Sequence, residues 1–330
     1  GINGFGRIGR LVLRAALEKS EKNIKVVAIN DIGNINQNVH LFKYDTVHGK
    51  VKSKIDVSDK SISVNEHKIS FFAHRSPDEI PWSDEGADIV LECTGLFTDA
   101  EKAKGHLTDN VKKVLISAPS KNADITVVHG VNDNMLKEDH QIISNASCTT
   151  NCIAPVIKVL NDTVGIEKGL LTTIHSFTND QRLIDANHKD IRRARSAVQS
   201  IIPTKTGAAK AVGVVIPELK GKFDGYAMRV PLVNVSLVDL VFTSKKDTSH
   251  EEINKIMKDS TNNEMQNIIL YNDIPLVSSD FNHNPHSSIV DLSLTKVVAG
   301  KMAKVSAWYD NEWGFANRMC DLAVYLGNLK

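Results

Sequence analysis

The chain has 330 residues, 42% of them hydrophobic, enough for two domains with a real core in each. Forty lysines and arginines against 39 acids leave a formal net charge of +1, so no long-range field marks nucleic acid or an anionic membrane as the principal partner. No apolar run approaches the ~18 residues of a membrane helix and GINGFGRIGR is not built like a secretory signal, which points to a cytoplasmic setting without membrane attachment.

The chain opens inside a pattern. Gly1-Ile2 runs straight into Gly4-Phe5-Gly6-Arg7-Ile8-Gly9 with too few residues for a full preceding strand, so a few residues are expected to be missing there. Apolar residues then recur at Ile8, Leu11, Val12, Ala15 and Ala16, the period of a helix face. Lys25 to Asp31 is a β-branched run ending in an acid, hence a strand. Residues 51–73 alternate in short segments with turn residues and predict an antiparallel insertion. Buried strands are predicted at 87–92, 114–117, 125–128 and 142–144, several separated by charged, helix-like segments. Strands alternating with helices imply a Rossmann-like, doubly wound parallel sheet. Beyond residue 148 the strands lengthen, at 169–177, 226–243 and 295–309, which suits a second α+β domain with a mainly antiparallel sheet. Phe315, Met319, Leu322 and Leu326 place an amphipathic helix at the end of the chain. The expected division is residues 1–147 for dinucleotide binding, with helix 313–330 packing back on it, and residues 148–312 for catalysis.

A lone G-x-G-x-x-G is weak, and a glycine-rich turn without a ligand would read the same way. Here the end of a strand precedes it, a helix follows, and Asp31 arrives about 20 residues on, at the end of a second strand. The glycines then allow a tight turn, backbone approach to pyrophosphate, and close helix–sheet packing at a helix N-terminus. A carboxylate at Asp31 accepts from ribose hydroxyls but repels a 2′-phosphate, so NAD is the expected cofactor.

The four cysteines, at 93, 148, 152 and 320, are too few and too unevenly spaced for a disulfide framework and fit a reducing compartment. SNASCTTNC, residues 144–152, holds two of them four apart. No zinc-type spacing or partner cluster accompanies them, so no metal is expected. On an intact helix, Cβ atoms four apart lie about 5–6 Å from each other, too far for a disulfide. Ser147 is a good N-cap, and Cys148 in the first turn would have its thiolate stabilised by unpaired N–H groups and the helix dipole. Cys152, a turn deeper, reads as packing. A buried, inert thiol at Cys148 is the competing reading, because cysteine is among the most buried residue types. His175, after the strand-like run 170–174, is the candidate base.

INGFGRIGR, KYDTVHGK, LECTG, SNASCTTNC followed by TIHSFTNDQR, RRARSAVQSIIPTKTGAAKAVG, MRVP and WYDNEWG together resemble phosphorylating glyceraldehyde-3-phosphate dehydrogenases along essentially the whole chain. Residues 280–286, DFNHNPH, resemble bacterial members. The resemblance implies that the Cys148 thiolate adds to glyceraldehyde 3-phosphate, that hydride passes to NAD to leave a thioester, and that inorganic phosphate releases an acyl phosphate. His175 would pair with the thiolate and take the hydroxyl proton. A thiol lowered from ~8.5 to near ~6 would be mostly ionised at neutral pH. Thr178, Asp180 and Arg229 would hold the substrate phosphate, with Asp180 orienting a neighbouring base or arginine. Ser147, Thr149, Arg193, Thr206 and Gly207 would hold the attacking phosphate. Around NAD the resemblance adds Arg7 and Ile8 near the pyrophosphate, Arg75 near the adenine, Thr94 and Ser117 nearby, and Asn311 on the nicotinamide amide. Phe5 and Gly95 complete that set with Gly4, Gly6, Gly9 and Asp31. A homotetramer is implied as well.

Three positions depart from the family pattern. Ala186-Asn187 stands where NAD-selective members usually carry Leu-Pro, which weakens the expectation that NADP is excluded. Lys205 replaces a small hydroxyl residue and Phe315 a frequent tyrosine. Erythrose-4-phosphate dehydrogenase is the nearest rival activity, although the Thr204–Lys210 stretch favours the phosphorylating enzyme. A dinucleotide-binding redox sensor or nucleic-acid-binding protein is the rival from another class; the basic run 189–195 otherwise reads as a solvated face.

Overall fold

The computed structural model describes residues 1–18 and 24–329. It divides into two compact units, the first comprising residues 1–127, 135–146 and the chain from Ala316 onward, the second residues 128–134 and 147–315. Compared with the expected boundaries, Ser147 and residues 128–134 belong to the second unit, and the last change of unit comes inside the terminal helix. Lys330, the last residue of the predicted helix, lies outside the described residues.

In the first unit, β1 (Ile2–Asn3) turns into α1 (Arg7–Glu18), a helix that buries Leu11, Val12 and Ala15 along one face. Then follow β2 (Ala28–Asn30) and α2 (Ile35–Lys43), whose cap Asn34 accepts from the N–H groups of Asn36 and Gln37. A short hairpin, β3 (Tyr44–Asp45) and β4 (Gly49–Lys50), leads to β5 (Ile55–Val57), β6 (Ser61–Val64) and β7 (His67–Phe72). The unit continues with β8 (Ile89–Glu92), α3 (Ala100–Ala103), β9 (Lys113–Ile116), β10 (Ile125–Thr126) and β11 (Ile142–Ser144).

Among the described residues these strands form one sheet in the order β10-β11-β9-β8-β1-β2-β7-β6-β5. It is parallel from β10 to β7. The strands of the predicted insertion pair antiparallel with one another, but β7 also joins β2 in parallel, so the insertion extends the main sheet. The strands predicted at 25–31 and 125–128 are shorter than expected, three and two residues long. β1 has β2 on one side and β8 on the other, so the winding reverses there and the carboxyl ends of β1 and β8 open a crevice.

The second unit begins with α4 (Cys148–Thr163) and β12 (Ile166–Ser176). It continues through β13 (Ile202–Lys205), α5 (Ala208–Val215), β14 (Phe223–Val230), β15 (Ser236–Ser244) and α6 (His250–Ser260). The last elements are β16 (Ile269–Asn272), β17 (Ser288–Asp291), β18 (Lys296–Val298), β19 (Met302–Tyr309) and the start of α7 (Trp313–Asn328). The run predicted as one strand over 226–243 is therefore two, and that over 295–309 is a hairpin, β18 pairing with β19.

Among the described residues the sheet order is β13-β14-β12-β15-β19-β17-β16, with parallel pairs only at β12/β14 and β16/β17. Helices α4, α5 and α6 pack on it. Alternation along β15 buries Val238, Leu240 and Phe242 and leaves the residues between them partly exposed. β12 does the same with Leu171, Thr173 and His175, so period two places His175 on the face that α4 covers.

Candidate active site and dinucleotide crevice

In the first unit a crevice of about 280 Å³ is lined by Gly4, Gly6, Asp31, Arg75 and Thr94 of the predicted cofactor set, together with Asn3, Asn30, His74 and Phe97. The three motif glycines have distinct surroundings. Gly4 has φ +89°, and a Cβ there would meet the Thr94 backbone N at 2.7 Å. A Cβ on Gly9 would lie 2.0 Å from the Gly4 carbonyl oxygen, so helix and turn touch. Gly6 has nothing within 4 Å of a Cβ position and faces open space, as backbone approach to a pyrophosphate requires.

Asp31 accepts from Phe5 N at 2.7 Å, Gly33 N at 2.8 Å and Asn38 Nδ2 at 3.0 Å. A carboxylate has about four acceptor positions, so a ribose hydroxyl still finds one. The crevice therefore fits a dinucleotide. Some predicted contacts are placed elsewhere. Phe5 is a core residue, its ring against Phe42 and Phe71 and its N–H taken by Asp31. Arg7 is ion-paired with Asp45. Ile8, Gly9, Gly95 and Ser117 do not line the crevice. Behind it, and not foreseen, Glu92 is buried and accepts from Asn3 Nδ2 at 2.6 Å and from His106 Nε2 at 3.0 Å. Its other oxygen accepts from Thr94 N at 2.8 Å.

In the second unit, Ser147 caps α4 by accepting from Thr150 N at 3.1 Å. Cys148 in the first turn is partly buried, and its Sγ lies 3.5 Å from His175 Nε2. Cys152 is fully buried, and all four cysteines are free thiols. β14 runs parallel to β12 with Arg229 directly opposite His175. Arg229 Nη1 is 2.8 Å from His175 Nδ1 and donates to Ser176 O at 3.0 Å. The Tyr309 ring stands edge-on to His175, and its hydroxyl lies 2.9 Å from those of Thr149 and Thr173. Thr149 is therefore buried and engaged. Asn311 Oδ1 accepts from Ser176 Oγ and Ser236 Oγ, both at 2.8 Å, which leaves Nδ2 as the end of the amide for a ligand.

Burial pushes the Cys148 thiol up from its ordinary value. Arg229, the Thr149 hydroxyl and the N–H groups of Thr149 and Cys148 oppose this without cancelling it. Burial and the Arg229 charge push His175 down to about 3 despite the Ser176 carbonyl. Burial thus opposes at Cys148 the thiolate that the helix N-terminus favours, and at His175 the imidazolium. At the thiol, desolvation outweighs the opposing Arg229 charge and hydrogen bonds, whereas at the imidazole the Arg229 charge acts with it.

Asp180 accepts from Arg193 Nη1 at 2.5 Å and from His188 Nε2 at 3.3 Å. Burial raises this carboxyl, but the two partners outweigh it and hold it below the usual range. Arg193 also donates to Thr204 Oγ1 at 2.8 Å. Asp180 and Arg193, assigned by resemblance to different anions, thus share one network, with Arg193 close enough to act on the charges of both His175 and Arg229. Thr178 donates from its N–H and hydroxyl to Gln181 Oε1. Thr206 Oγ1 accepts from Ala208 N at 3.2 Å, and Gly207 is the N-cap residue of α5. Helices α4 and α5 pack together. Sequence reading missed Tyr309 and His188. Tyr309 lies inside the quoted WYDNEWG, and His188 adjoins the stretch read as a charge run.

The crevice with the Asp31 carboxylate on its wall, and the thiol and imidazole in contact at a helix N-terminus, define a two-unit, thiol-bearing dehydrogenase of the α/β class. The profile of the glyceraldehyde 3-phosphate dehydrogenase NAD binding domain matches residues 1–100, and that of the C-terminal domain matches residues 147–311. The chain is 56% identical to the chromosomal glyceraldehyde-3-phosphate dehydrogenase of Cupriavidus necator, over 100% of this chain and 98% of that protein. It is 55% identical to the Pseudomonas aeruginosa enzyme of that name, over 98% and 97% of the two chains. With the Geobacillus stearothermophilus enzyme it shares 52% identity over 99% and 98%. The chain belongs to the glyceraldehyde 3-phosphate dehydrogenase family, and its first unit is an NAD-binding domain. Among the described residues no helix is long and apolar enough to cross a membrane, and no cluster of potential metal ligands occurs.

Proposed function

We propose that this protein oxidises glyceraldehyde 3-phosphate to 1,3-bisphosphoglycerate with NAD and inorganic phosphate. The observation that carries the reading is the 3.5 Å approach of Cys148 Sγ to His175 Nε2 at the start of α4. Cys148 gives its proton to His175, its sulfur adds to the aldehyde carbon, and His175 returns that proton to the oxyanion to complete the hemithioacetal. The Cys148 N–H supports the developing oxyanion, a contact typically worth about 3–4 kcal/mol. NAD, when bound, supplies the acceptor for the hydride that leaves the resulting hemithioacetal. His175 takes the hydroxyl proton as the thioester forms. Inorganic phosphate attacks the thioester carbon, and the carbon–sulfur bond breaks to return the Cys148 thiolate.

Arg229 and Thr178 are the proposed holders of the substrate phosphate, with Asp180 positioning Arg193 beside them. Ser147, Thr206 and Gly207, at the starts of two helices that pack together, are the proposed holders of inorganic phosphate. Asp31 and the Gly4–Gly9 turn hold NAD, and Asn311 Nδ2 is assigned to its nicotinamide amide. A homotetramer in the cytoplasm completes the proposal. Exposed apolar residues of the second unit support self-association, including Ile184 at 80%, Ile191 at 84% and Ile201 at 66%. Light scattering on the purified protein checks the assembly.

The test is NAD reduction with glyceraldehyde 3-phosphate, with and without phosphate, for wild type and Cys148→Ser. Rapid, phosphate-dependent turnover in wild type and almost none in the variant is expected. Wild-type turnover by Cys148→Ser would remove the thiol from the mechanism.

A further inference from the structure

Glu92 is 1% exposed and does not itself line the dinucleotide crevice, yet four donors surround its two carboxylate oxygens. Oε1 accepts from the Thr94 N–H at 2.8 Å and from the Thr94 hydroxyl. Oε2 accepts from Asn3 Nδ2 at 2.6 Å and from His106 Nε2 at 3.0 Å. The proton on His106 Nε2 is fixed from behind, because the Trp82 indole can only donate and occupies Nδ1 at 3.1 Å. Asn3 Nδ2 and His106 Nε2, 3.3 Å apart, thus converge as donors on one oxygen. The proposed chemistry uses none of these groups.

Each oxygen leads to a different wall of the crevice. Thr94 Oγ1 gives its proton to Glu92 and accepts from Leu96 N at 3.0 Å, which shapes the turn 94–97. Within that turn the Phe97 ring stands edge-on to His106. Thr94 and Phe97 line the crevice, and Thr94 lies so close to the glycine turn that a Cβ on Gly4 would meet its backbone N at 2.7 Å. On the other side the polarity of the carboxylate passes along two amides. Because Glu92 accepts, Asn3 presents Nδ2 to it and Oδ1 to Asn30 Nδ2, at 2.8 Å. That Nδ2 also donates to His74 O at 3.0 Å, and Asn30 Oδ1 accepts from His74 N at 2.8 Å. Turning either amide over would set donor against donor and acceptor against acceptor. His74 and Arg75, which line the crevice, are therefore held from Glu92 as well.

We infer that Glu92 is a positioning residue for the adenosine diphosphate half of the dinucleotide, one buried carboxylate that fixes the 94–97 turn on one side and the His74–Arg75 segment on the other. This is the half that lies between the glycine turn, where the pyrophosphate sits, and Asp31, where the ribose sits. The inference rests on the reading of that crevice as the NAD site. A buried carboxylate is tolerated only when its acceptor positions are filled, and here the four donors that fill them belong to or lead to the two walls. Walls ordered in advance are not ordered at the ligand's expense, so the contribution of Glu92 appears in affinity and not in the chemical step.

Glu92→Gln keeps the size of the side chain and turns one acceptor into a donor, so donor faces donor either at Thr94 or at Asn3 and His106. The test is calorimetric titration of the full chain with NAD and with ADP-ribose, which lacks the nicotinamide, beside steady-state kinetics. Glu92→Gln is expected to bind both ligands about tenfold or more weakly and to raise KM for NAD by the same factor. Its kcat at saturating NAD and its KM for glyceraldehyde 3-phosphate should stay near wild type. A lower melting temperature with wild-type affinity for ADP-ribose overturns the inference, because Glu92 would then serve the fold alone. Weakening confined to NAD overturns it as well. Asn30→Ala cuts the link to His74 and leaves Glu92 its four donors, and it too is expected to weaken ADP-ribose. Unchanged affinity in Asn30→Ala overturns the inference even if Glu92→Gln does not fold. Failure of the wild type to bind ADP-ribose would sink the reading of the crevice itself, and the inference with it.

Discussion

Cys148 Sγ and His175 Nε2 lie 3.5 Å apart although 27 residues separate them, while Cys152, one helical turn beyond Cys148, is fully buried with its sulfur against the Ala307 carbonyl, at 3.9 Å, and the Ser288 hydroxyl. Brief treatment with iodoacetamide followed by peptide mass spectrometry is expected to label Cys148 and to leave Cys152 and Cys320, both 0% exposed, unmodified. Labelling of Cys152 at a comparable rate would contradict the packing described for α4.

The protonation of His175 links to folding. Its folded value of about 3 lies below the ordinary 6.5. Above pH 6.5 the ring is neutral in both states and contributes no pH dependence. Between pH 6.5 and about 3 the unfolded chain binds a proton that the folded chain does not, so stability falls with pH by about 1.4 kcal/mol per unit from this group alone. Urea denaturation from pH 6.5 down to 4.5 should show a shallower decline for His175→Gln than for wild type. Parallel declines would mean that the ring is readily protonated in place.

Two glycines of one motif should respond differently to the same methyl group. Gly9→Ala drives a Cβ into the Gly4 carbonyl and must shift backbone, at a cost of about 1–3 kcal/mol or more. Gly6→Ala meets no protein atom, so its melting temperature should stay near wild type while NAD affinity falls about tenfold or more. Calorimetry of unfolding and of NAD binding separates the two effects. Equal destabilisation would show that Gly6 serves the fold and not the ligand.

Behind the crevice, Trp82 Nε1 donates to His106 Nδ1 at 3.1 Å, which leaves the His106 Nε2 proton for Glu92 at 3.0 Å. All three side chains are at most 1% exposed. His106→Leu leaves a buried carboxylate and an indole N–H short of partners, and should cost about 3–5 kcal/mol in urea unfolding. A red shift of tryptophan emission should accompany it. A loss below about 1 kcal/mol would mean that solvent reaches Glu92.

The glycine motif, Asp31, the capping serine and the two-domain α/β plan were legible because each depends on neighbours within about 20 residues and on period 3.6 or 2.0. The strand ends at 25–27 and 127–128 were overread, since β-branched composition does not tell where a sheet partner stops. The burial that opposes ionisation of Cys148 was not legible for a related reason. The helix field is local and visible in SNASCTTNC, whereas the desolvation that outweighs it comes from elements far along the chain.

By itself, then, the sequence determined the kinds of groups present and the elements that carry them: a thiol in a first helical turn, an imidazole on a strand, a carboxylate at the end of another. Only the tertiary structure decided which of them meet. The parallel register that sets Arg229 opposite His175 is closed by residues 54 apart, and the Asn3–Glu92 contact by residues 89 apart. Periodicity assigns a side chain to a face, but register and desolvation are fixed when separate elements pack, so no local pattern carries them.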